Sequence, residues 1–215
     1  MTLTLLTSGT TKEPKTVVHS WKYIEDSIQS SIKEIGLSER DIVLDVFPAN
    51  TIAHYTITAM PAFYSRAKLI SAKFDASHYI KMFKEYQPTY IALIPRHWEL
   101  LKETQEWHAL DMSSVRYMVT GSGPVSQVMV DDFLAKGVKT VANWYGMTEM
   151  PPPVFVGYNT SSFDFKSKKD YYVEFADDGE CVINGFYTGD LFDVNSKLFL
   201  GRKNVSANTK TWKNS

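Results

Sequence analysis

Short apolar runs alternate with amphipathic stretches from Leu3 to Lys139, and this alternation constrains the fold more than any other feature. Apolar runs of this length are typical of buried strands, and the stretches between them are long enough for helices. The pattern therefore predicts an α/β fold, with a mostly parallel sheet covered by helices on both faces. The predicted strands are Thr4–Leu6, Val17–His19, Ile42–Phe47, Ala67–Ile70, Tyr90–Ile94, Val115–Val119 and Thr140–Ala142.

The segment Trp21–Ile35 is predicted to be a helix, because its apolar residues recur at three- and four-residue spacing. Gly36 follows at the position where a helix commonly ends on glycine. Weaker periodicity predicts further helices over His54–Tyr64, Ala76–Tyr86, Trp98–Thr104 and Val125–Ala135.

The character of the chain changes after Glu149. The run Met150-Pro-Pro-Pro153 cannot continue a helix or donate ladder hydrogen bonds, so it indicates a boundary. We therefore expect an α/β domain over residues 1–149 and a small antiparallel β lobe over residues 150–215. The predicted strands of the lobe are Val154–Tyr158, Tyr171–Phe175, Cys181–Asn184 and Lys197–Leu200.

Charge and cysteine content exclude several classes of function. The 215 residues include 23 Lys plus Arg and 24 Asp plus Glu, a net charge of −1, so nothing favours binding to nucleic acid or to an anionic membrane. No apolar run approaches the ~20 residues that span a bilayer. A single cysteine, Cys181, excludes an internal disulfide framework and a multi-cysteine zinc site. We expect a cytoplasmic protein.

The stretch from Thr7 to Lys15, here called the hydroxyl loop, carries the most chemical information. Thr7, Ser8, Gly9, Thr10 and Thr11 lie between two predicted strands, with Lys15 at the far end. Hydroxyl donors, a glycine that permits close approach and an ammonium group together suit a polyphosphate. The alternative for this composition is a solvated Ser/Thr turn.

A second candidate segment, Trp144–Glu149, follows the last strand of the α/β region, and the ends of parallel strands are where open α/β sheets bind ligands. Tyr145 offers a ring for stacking on a base, while Thr148 and Glu149 offer a hydroxyl and a carboxylate for a phosphate and its Mg²⁺. The alternative is a structured loop with a buried tyrosine.

Three smaller segments complete the candidate set. Gly121-Ser122-Gly123-Pro124 follows a predicted strand and would let a flat ring lie against the backbone, although a tight structural turn uses the same residues. Thr188-Gly189-Asp190 and Gly201-Arg202 provide a carboxylate and a guanidinium that could each bind vicinal hydroxyls.

Taken in order, these segments resemble the motifs of the adenylate-forming superfamily, which comprises acyl-CoA synthetases, luciferases and peptide-synthetase adenylation domains. Thr7 to Lys15 is similar to the family's phosphate loop except that Lys12 replaces a glycine. Tyr145-Gly146-Met147-Thr148-Glu149 matches its Tyr-Gly-x-Thr-Glu motif in full. Gly121 to Pro124 resembles its adenine-contacting loop, and the Asp190 and Arg202 segments resemble its ribose-binding motifs.

The resemblance implies a two-step reaction. A carboxylate attacks the α-phosphate of ATP to give acyl-adenylate and pyrophosphate, and a thiol, usually that of coenzyme A, then takes the acyl group and releases AMP. The resemblance assigns the β- and γ-phosphates to Thr7–Thr11 and Lys15, and the ribose to Asp190 and Arg202. The remaining assignments are adenine to Tyr145, Gly146 and Gly121–Pro124, the α-phosphate to Thr148, and Mg²⁺ to Glu149. His54 is either a residue of the acyl pocket or an ordinary helix residue; the other histidines, His19, His78, His97 and His108, are expected on surfaces or in local packing.

The sequence also departs from the family pattern. Family members are more than twice this length, with an upstream subdomain and a small C-terminal domain, and Asn204 stands where the hinge aspartate is usual. We therefore expect a truncated or minimal domain that binds ATP and Mg²⁺, and that adenylates a small carboxylic acid only when complemented by another polypeptide or by self-association. The alternative is a non-catalytic nucleotide-binding module.

Overall fold

The computed structural model describes residues 1–7 and 15–203, which form three sheets and the helices that pack on them. The strands are β1 Thr2–Thr7, β2 Lys15–Ser20, β3 Ile42–Asp45, β4 Lys68–Ser71, β5 Tyr90–Ala92, β6 Tyr117–Gly121, β7 Val141–Tyr145, β8 Phe155–Tyr158, β9 Val173–Phe175, β10 Glu180–Ile183, β11 Phe186–Asp193 and β12 Leu198–Arg202. The α-helices are α1 Trp21–Ile35, α2 Ala59–Tyr64, α3 Ala76–Tyr86, α4 Pro95–Lys102 and α5 Gln127–Ala135.

The largest sheet has six strands in the order β4-β3-β5-β6-β7-β8. All neighbours pair in parallel except β7 and β8, which are antiparallel. Successive strand residues enter different cores, as with Tyr90 on one side of β5 and Ile91 on the other. The helices α3, α4 and α5 cover one face, and α1 and α2 cover the other. The predicted α/β fold with helices on both faces is confirmed.

A four-stranded antiparallel sheet, in the order β12-β11-β10-β9, forms the small lobe. Its core consists largely of aromatic side chains around Phe192, which is 2% exposed. Phe155 and Phe163 contact Phe192 with ring centroids 5.6 and 5.9 Å apart. The core of the lobe therefore differs in kind from the aliphatic and mixed cores of the large sheet.

Two helices have the predicted bounds. At the start of α1, the Ser20 hydroxyl accepts a hydrogen bond from the backbone of Tyr23, and Gly36 ends the helix in the left-handed conformation. Asp75 caps α3 in the same way. The predicted helix over residues 54–64 is divided into a π-helical turn, His54–Thr58, and α2.

Two expectations about strands are wrong. The run Val154–Tyr158 was expected in the small lobe, but β8 pairs with β7 at the edge of the large sheet, because the chain reverses directly after β7. The first two strands were expected in the large sheet, but β1 and β2 form a separate antiparallel hairpin. Strand β11 was not predicted; its inward positions include Thr188 and Asp190, which conceal the apolar alternation.

In the part of the chain that the structure describes, no helix has both the length and the apolar composition needed to cross a bilayer.

Candidate functional site

The ends of the hydroxyl loop are held by the β1–β2 hairpin. Thr7, the last residue of β1, pairs with Lys15, the first residue of β2. Ser8, Gly9, Thr10 and Thr11 lie outside the described residues. Because side chains of a strand alternate between faces, Lys15 is on the same face of β2 as His19, about 13 Å farther along the strand.

His19 connects this hairpin to the second candidate segment. The side chain is fully buried, and its Nε2 atom lies 2.6 Å from the backbone oxygen of Thr148. A carbonyl oxygen only accepts hydrogen bonds, so Nε2 carries the hydrogen and donates it. Burial lowers the pKa of His19, against opposing effects of the Thr148 hydrogen bond and the Glu149 charge. The expectation that His19 lies on the surface or in local packing is wrong, since a histidine in a short strand gives no signal of a contact 129 residues away.

Residues 146–152, called the Thr148 loop below, form a tight turn after β7. The backbone of Met147 donates to Met150 at 2.9 Å, and Met150 donates back to Met147 at 3.1 Å. Thr148 and Glu149, between them, are half-buried. The second half of the loop is held by Lys169, whose ammonium donates to the backbone oxygens of Pro151 and Pro152.

Tyr145, Asp190 and Arg202 meet where the large sheet joins the lobe. The Tyr145 hydroxyl donates to Asp190 Oδ2 at 2.8 Å, and Arg202 Nε donates to Asp190 Oδ1 at 3.0 Å. The Asp190 side chain is 7% exposed. Its position on β11 is fixed by Thr188, whose hydroxyl accepts from the Asp190 backbone and donates to Cys181. The sequence-predicted ribose residues are therefore brought together with the predicted adenine residue.

Glu149 is close enough to this cluster for its charge to act on Arg202. Burial lowers the pKa of Arg202, but the nearby charges of Asp190 and Glu149 outweigh it and raise that pKa. Burial raises the pKa of Tyr145 well above its ordinary value, and the Asp190 charge adds to the effect. Tyr145 therefore stays a neutral hydrogen-bond donor to a carboxylate that also binds a guanidinium.

The Tyr145 ring is packed within the aromatic core of the lobe. It stacks on Phe155 with centroids 4.5 Å apart and planes 15° apart, and Phe192 meets it edge-on at 5.1 Å. Only 6% of the residue is exposed. The ring is thus not presented to solvent in this arrangement, and the expected alternative of a buried tyrosine describes its packing.

Gly121, Ser122 and Gly146 line a small cleft at the carboxyl ends of the parallel strands. Phe47, Ile57, Leu93 and Trp144 supply much of its apolar lining. A Cβ atom on Gly121 would lie 2.3 Å from the backbone oxygen of Trp144, so the two strand ends could not approach as closely with any other residue. Gly123 and Pro124 follow on the way to α5 and are absent from the lining.

His54 lies in the π-helical turn near the same strand ends. Its Nδ1 atom is 2.8 Å from Asp45 Oδ2, and Asp45 also accepts from the hydroxyls of Thr58 and Ser71 at 2.7 and 3.0 Å. Ile57, three residues later, lines the cleft, whereas His54 does not. The buried carboxylate therefore fixes the imidazole beside the cleft.

The donor set suits a nucleotide-bound Mg²⁺ better than a metal held by protein alone. In the described residues, no group of three or more His, Cys, Asp or Glu side chains could hold a metal ion. Mg²⁺ in nucleotide sites usually takes one or two carboxylates and completes its shell with phosphates and water. A single half-buried carboxylate at Glu149, next to the Thr148 carbonyl group that contacts His19 of the hairpin, fits that pattern.

Comparison with known proteins shows the family. The model of the AMP-binding enzyme family matches residues 2–173, which include the hairpin, the large sheet and the Thr148 loop. The chain belongs to the AMP-binding enzyme family. It is similar to the long-chain-fatty-acid–CoA ligase FadD13 of Mycobacterium tuberculosis, with 26% identity over 67% of this chain and 29% of that protein. It is also similar to the 2-succinylbenzoate–CoA ligase of Listeria monocytogenes serotype 4b, with 26% identity over 84% of this chain and 39% of that one.

Solved structures show the same fold. The o-succinylbenzoate coenzyme A synthetase of Bacillus subtilis, determined with ATP and a magnesium ion, superposes with a TM-score of 0.74 at 21% identity. The match covers 93% of this chain and 49% of that one. The chain thus spans less than half the length of these curated ligases and about half of that structure.

Proposed function

We propose that this chain binds ATP with Mg²⁺ and provides the nucleotide half of an acid–CoA ligase site, in which a small carboxylic acid is activated as acyl-AMP. The observation that supports this most directly is the cluster of Tyr145, Asp190 and Arg202 beside Glu149. The cluster combines residues from β7, β11 and β12 with the Thr148 loop, and each belongs to a segment that resembles a nucleotide-binding motif.

The proposed roles follow the chemistry of each group. Lys15 and the hydroxyl loop bind the outer phosphates, and Thr148 binds the α-phosphate. Attack of a carboxylate on a phosphate requires that the repulsion between two anions be screened, which fixed cations and donors accomplish. Mg²⁺ supplies further positive charge when it is bound, with Glu149 as its protein ligand.

Adenine and ribose are assigned to the junction of the sheet and the lobe. Asp190 binds the ribose hydroxyls, with Arg202 Nε 3.0 Å from its Oδ1 atom. Adenine lies against the backbone of Gly121–Pro124 and Gly146, and next to Tyr145. The cleft beyond Gly121 and Gly146, with His54 at its margin, receives the carboxylic acid.

One observation favours a second candidate function, a non-catalytic nucleotide-binding module. The Tyr145 ring is stacked on Phe155 and largely buried, so it must move before it can stack on adenine. A protein that binds nucleotide slowly or weakly at such a junction could act through binding alone.

ATP–pyrophosphate exchange with a panel of carboxylic acids tests these two functions. Exchange that depends on any acid supports the ligase. Saturable ATP binding without exchange supports the module, and the absence of both contradicts the proposal. Addition of coenzyme A or of a carrier protein to the exchanging reaction then identifies the acceptor thiol.

We further propose that this chain associates with another polypeptide or with a second copy of itself, and that ligase activity requires this association. The chain spans less than half the length of the ligases that it matches. Phe63 on α2 is 73% exposed and Leu69 on edge strand β4 is 38% exposed, which leaves apolar surface available for association. Light scattering at low micromolar concentration should show a species larger than the 24.5 kDa monomer. A monodisperse monomer that catalyses exchange by itself would contradict this requirement.

A further inference from the structure

His19 is a fully buried polar residue for which the proposed function gives no role. It lies on β2 four residues after Lys15, and its ring faces inward with Val17. An apolar side chain in this position would pack without the cost of burying a polar group. The hydrogen bond to Thr148 offsets part of that cost for His19.

The contact connects two segments that are far apart in sequence. One is the hairpin, which carries the hydroxyl loop at its tip, and the other is the Thr148 loop, which carries Glu149. The tight backbone turn between Met147 and Met150 makes the Thr148 loop a compact unit. Fixing the carbonyl of Thr148 therefore also restricts the position of the Glu149 carboxylate.

The other contacts across this interface hold different parts. Lys169 binds Ser27 of α1 at 2.8 Å and the backbone oxygens of Pro151 and Pro152. The hydroxyls of Tyr23 on α1 and Tyr171 are 2.7 Å apart. Lys169 attaches the second half of the Thr148 loop to α1, and the tyrosine pair attaches the lobe to α1, whereas His19 reaches Thr148 itself.

We propose that His19 is a positioning residue, which holds the Thr148 loop against β2 and so fixes the positions of Thr148 and Glu149 for a bound nucleotide. The role in orienting the loop stands on the contact alone, and the consequence for phosphate binding rests on the proposed function. His19 does not touch the nucleotide; it acts through the backbone of Thr148.

The experiment compares three variants in the full chain. His19→Leu removes the Nε2 donor and introduces an apolar side chain of moderate size. His19→Gln retains an amide donor that can reach the Thr148 carbonyl. Tyr171→Phe is the matched control, because it removes a partly buried hydrogen bond from the same interface and leaves the His19 donor in place.

Hydrogen exchange gives a readout that does not depend on nucleotide. In His19→Leu, the Met147 and Met150 amides should exchange at least about tenfold faster than in the parent, because the loop opens locally more often. His19→Gln should restore most of the protection, and Tyr171→Phe should leave these amides unchanged. Unchanged exchange in a folded His19→Leu variant, or an equal effect of Tyr171→Phe, would overturn the proposal.

Calorimetric titration with AMP and with ATP plus Mg²⁺ gives the second readout. His19→Leu should weaken both ligands about tenfold, since both carry the α-phosphate assigned to Thr148, with recovery in His19→Gln. Normal affinity in His19→Leu despite faster exchange would overturn the link to phosphate binding. If the parent binds neither ligand, the proposed function is wrong, and the exchange data decide the positioning role separately.

Discussion

The large sheet and the small lobe bury their apolar side chains in different ways. Strands of the large sheet direct alternate side chains to two cores, and each core is closed by helices from a different part of the chain. The lobe instead gathers phenylalanine rings around Phe192, and Tyr145 extends this cluster into the large sheet. The large sheet is thus a scaffold, while the core of the lobe is continuous with the candidate nucleotide site.

Removal of one large ring from each core tests whether only the core of the lobe affects nucleotide binding. Phe192→Ala in the lobe and Phe133→Ala in the large sheet should each reduce the free energy of unfolding by about 3–5 kcal/mol, because both rings are almost completely buried. Phe192→Ala should in addition weaken AMP binding, since Phe192 contacts Tyr145 and lies two residues from Asp190. Urea denaturation and AMP titration measure both effects.

Phe133→Ala serves as the control for this prediction. It lies on α5, packed against Trp107 at 5.4 Å and away from the junction. AMP affinity should therefore stay close to that of the parent under conditions in which both variants are folded. Equal losses of AMP affinity in the two variants would show that the lobe core is not specially connected to the site.

The second prediction concerns the hydroxyl loop. Lys15→Ala removes a cation assigned to the outer phosphates, and a charge-assisted hydrogen bond contributes about 1.5–3 kcal/mol, so ATP affinity should fall tenfold or more. AMP lacks the outer phosphates and should lose much less. Lys22→Ala, on the exposed surface of α1 where Lys22 pairs with Asp26, is the matched control. A similar loss for both nucleotides would contradict the assignment of Lys15.

The third prediction uses pH to separate scaffold from site. Asp41 precedes β3 and accepts hydrogen bonds from Arg116 at 2.7 and 2.8 Å and from the Thr89 hydroxyl at 2.7 Å. Burial alone would raise the pKa of Asp41, but these bonds and one from the Ser38 backbone lower it from 3.8 to about 2. The Asp41 carboxyl group therefore binds its proton less tightly in the folded protein than in the unfolded chain. Its ionisation stabilises the folded state at pH values above about 4.

That contribution is fully present at neutral pH and is lost as the pH falls through about 2. Because Arg116 is 37% exposed and partly screened by solvent, we expect Asp41 to contribute about 1–2 kcal/mol to the free energy of unfolding. Asp41→Asn should be less stable than the parent by this amount at pH 7, with the difference shrinking below pH 4. Nucleotide affinity should not change. Asp111→Asn, an exposed carboxylate, should show a much smaller difference.

Much of the scaffold could be predicted from the sequence, because its signals are local. The apolar spacing and the terminal glycine define α1, and the periodicity of α3 gives its bounds. Strand partners are not local information. The periodicity of residues 154–158 is the same whether they pair in the lobe or with β7, so their assignment to the lobe was wrong.

The lobe and the site were harder to predict for two physical reasons. In β11 the buried positions include Thr188 and Asp190, whose polar side chains are satisfied by partners elsewhere, so the hydrophobic alternation is hidden. A signal did exist in Asn184-Gly185, where both residues have positive φ and connect β10 to β11 in a two-residue hairpin turn. His19 had no local signal, since only the folded chain brings Thr148 to it.

The magnesium dependence of ATP binding, compared between the parent and Glu149→Gln, is the most direct test of the proposed nucleotide site. The variant preserves the size and hydrogen bonding of the side chain but removes the charge that a hard cation requires. We predict that Mg²⁺ strengthens ATP binding to the parent severalfold and has little effect on the variant, while binding of AMP without metal is similar in both. An equal response to Mg²⁺ in parent and variant, or no ATP binding by the parent at millimolar concentration, would contradict a nucleotide site centred on the Thr148 loop.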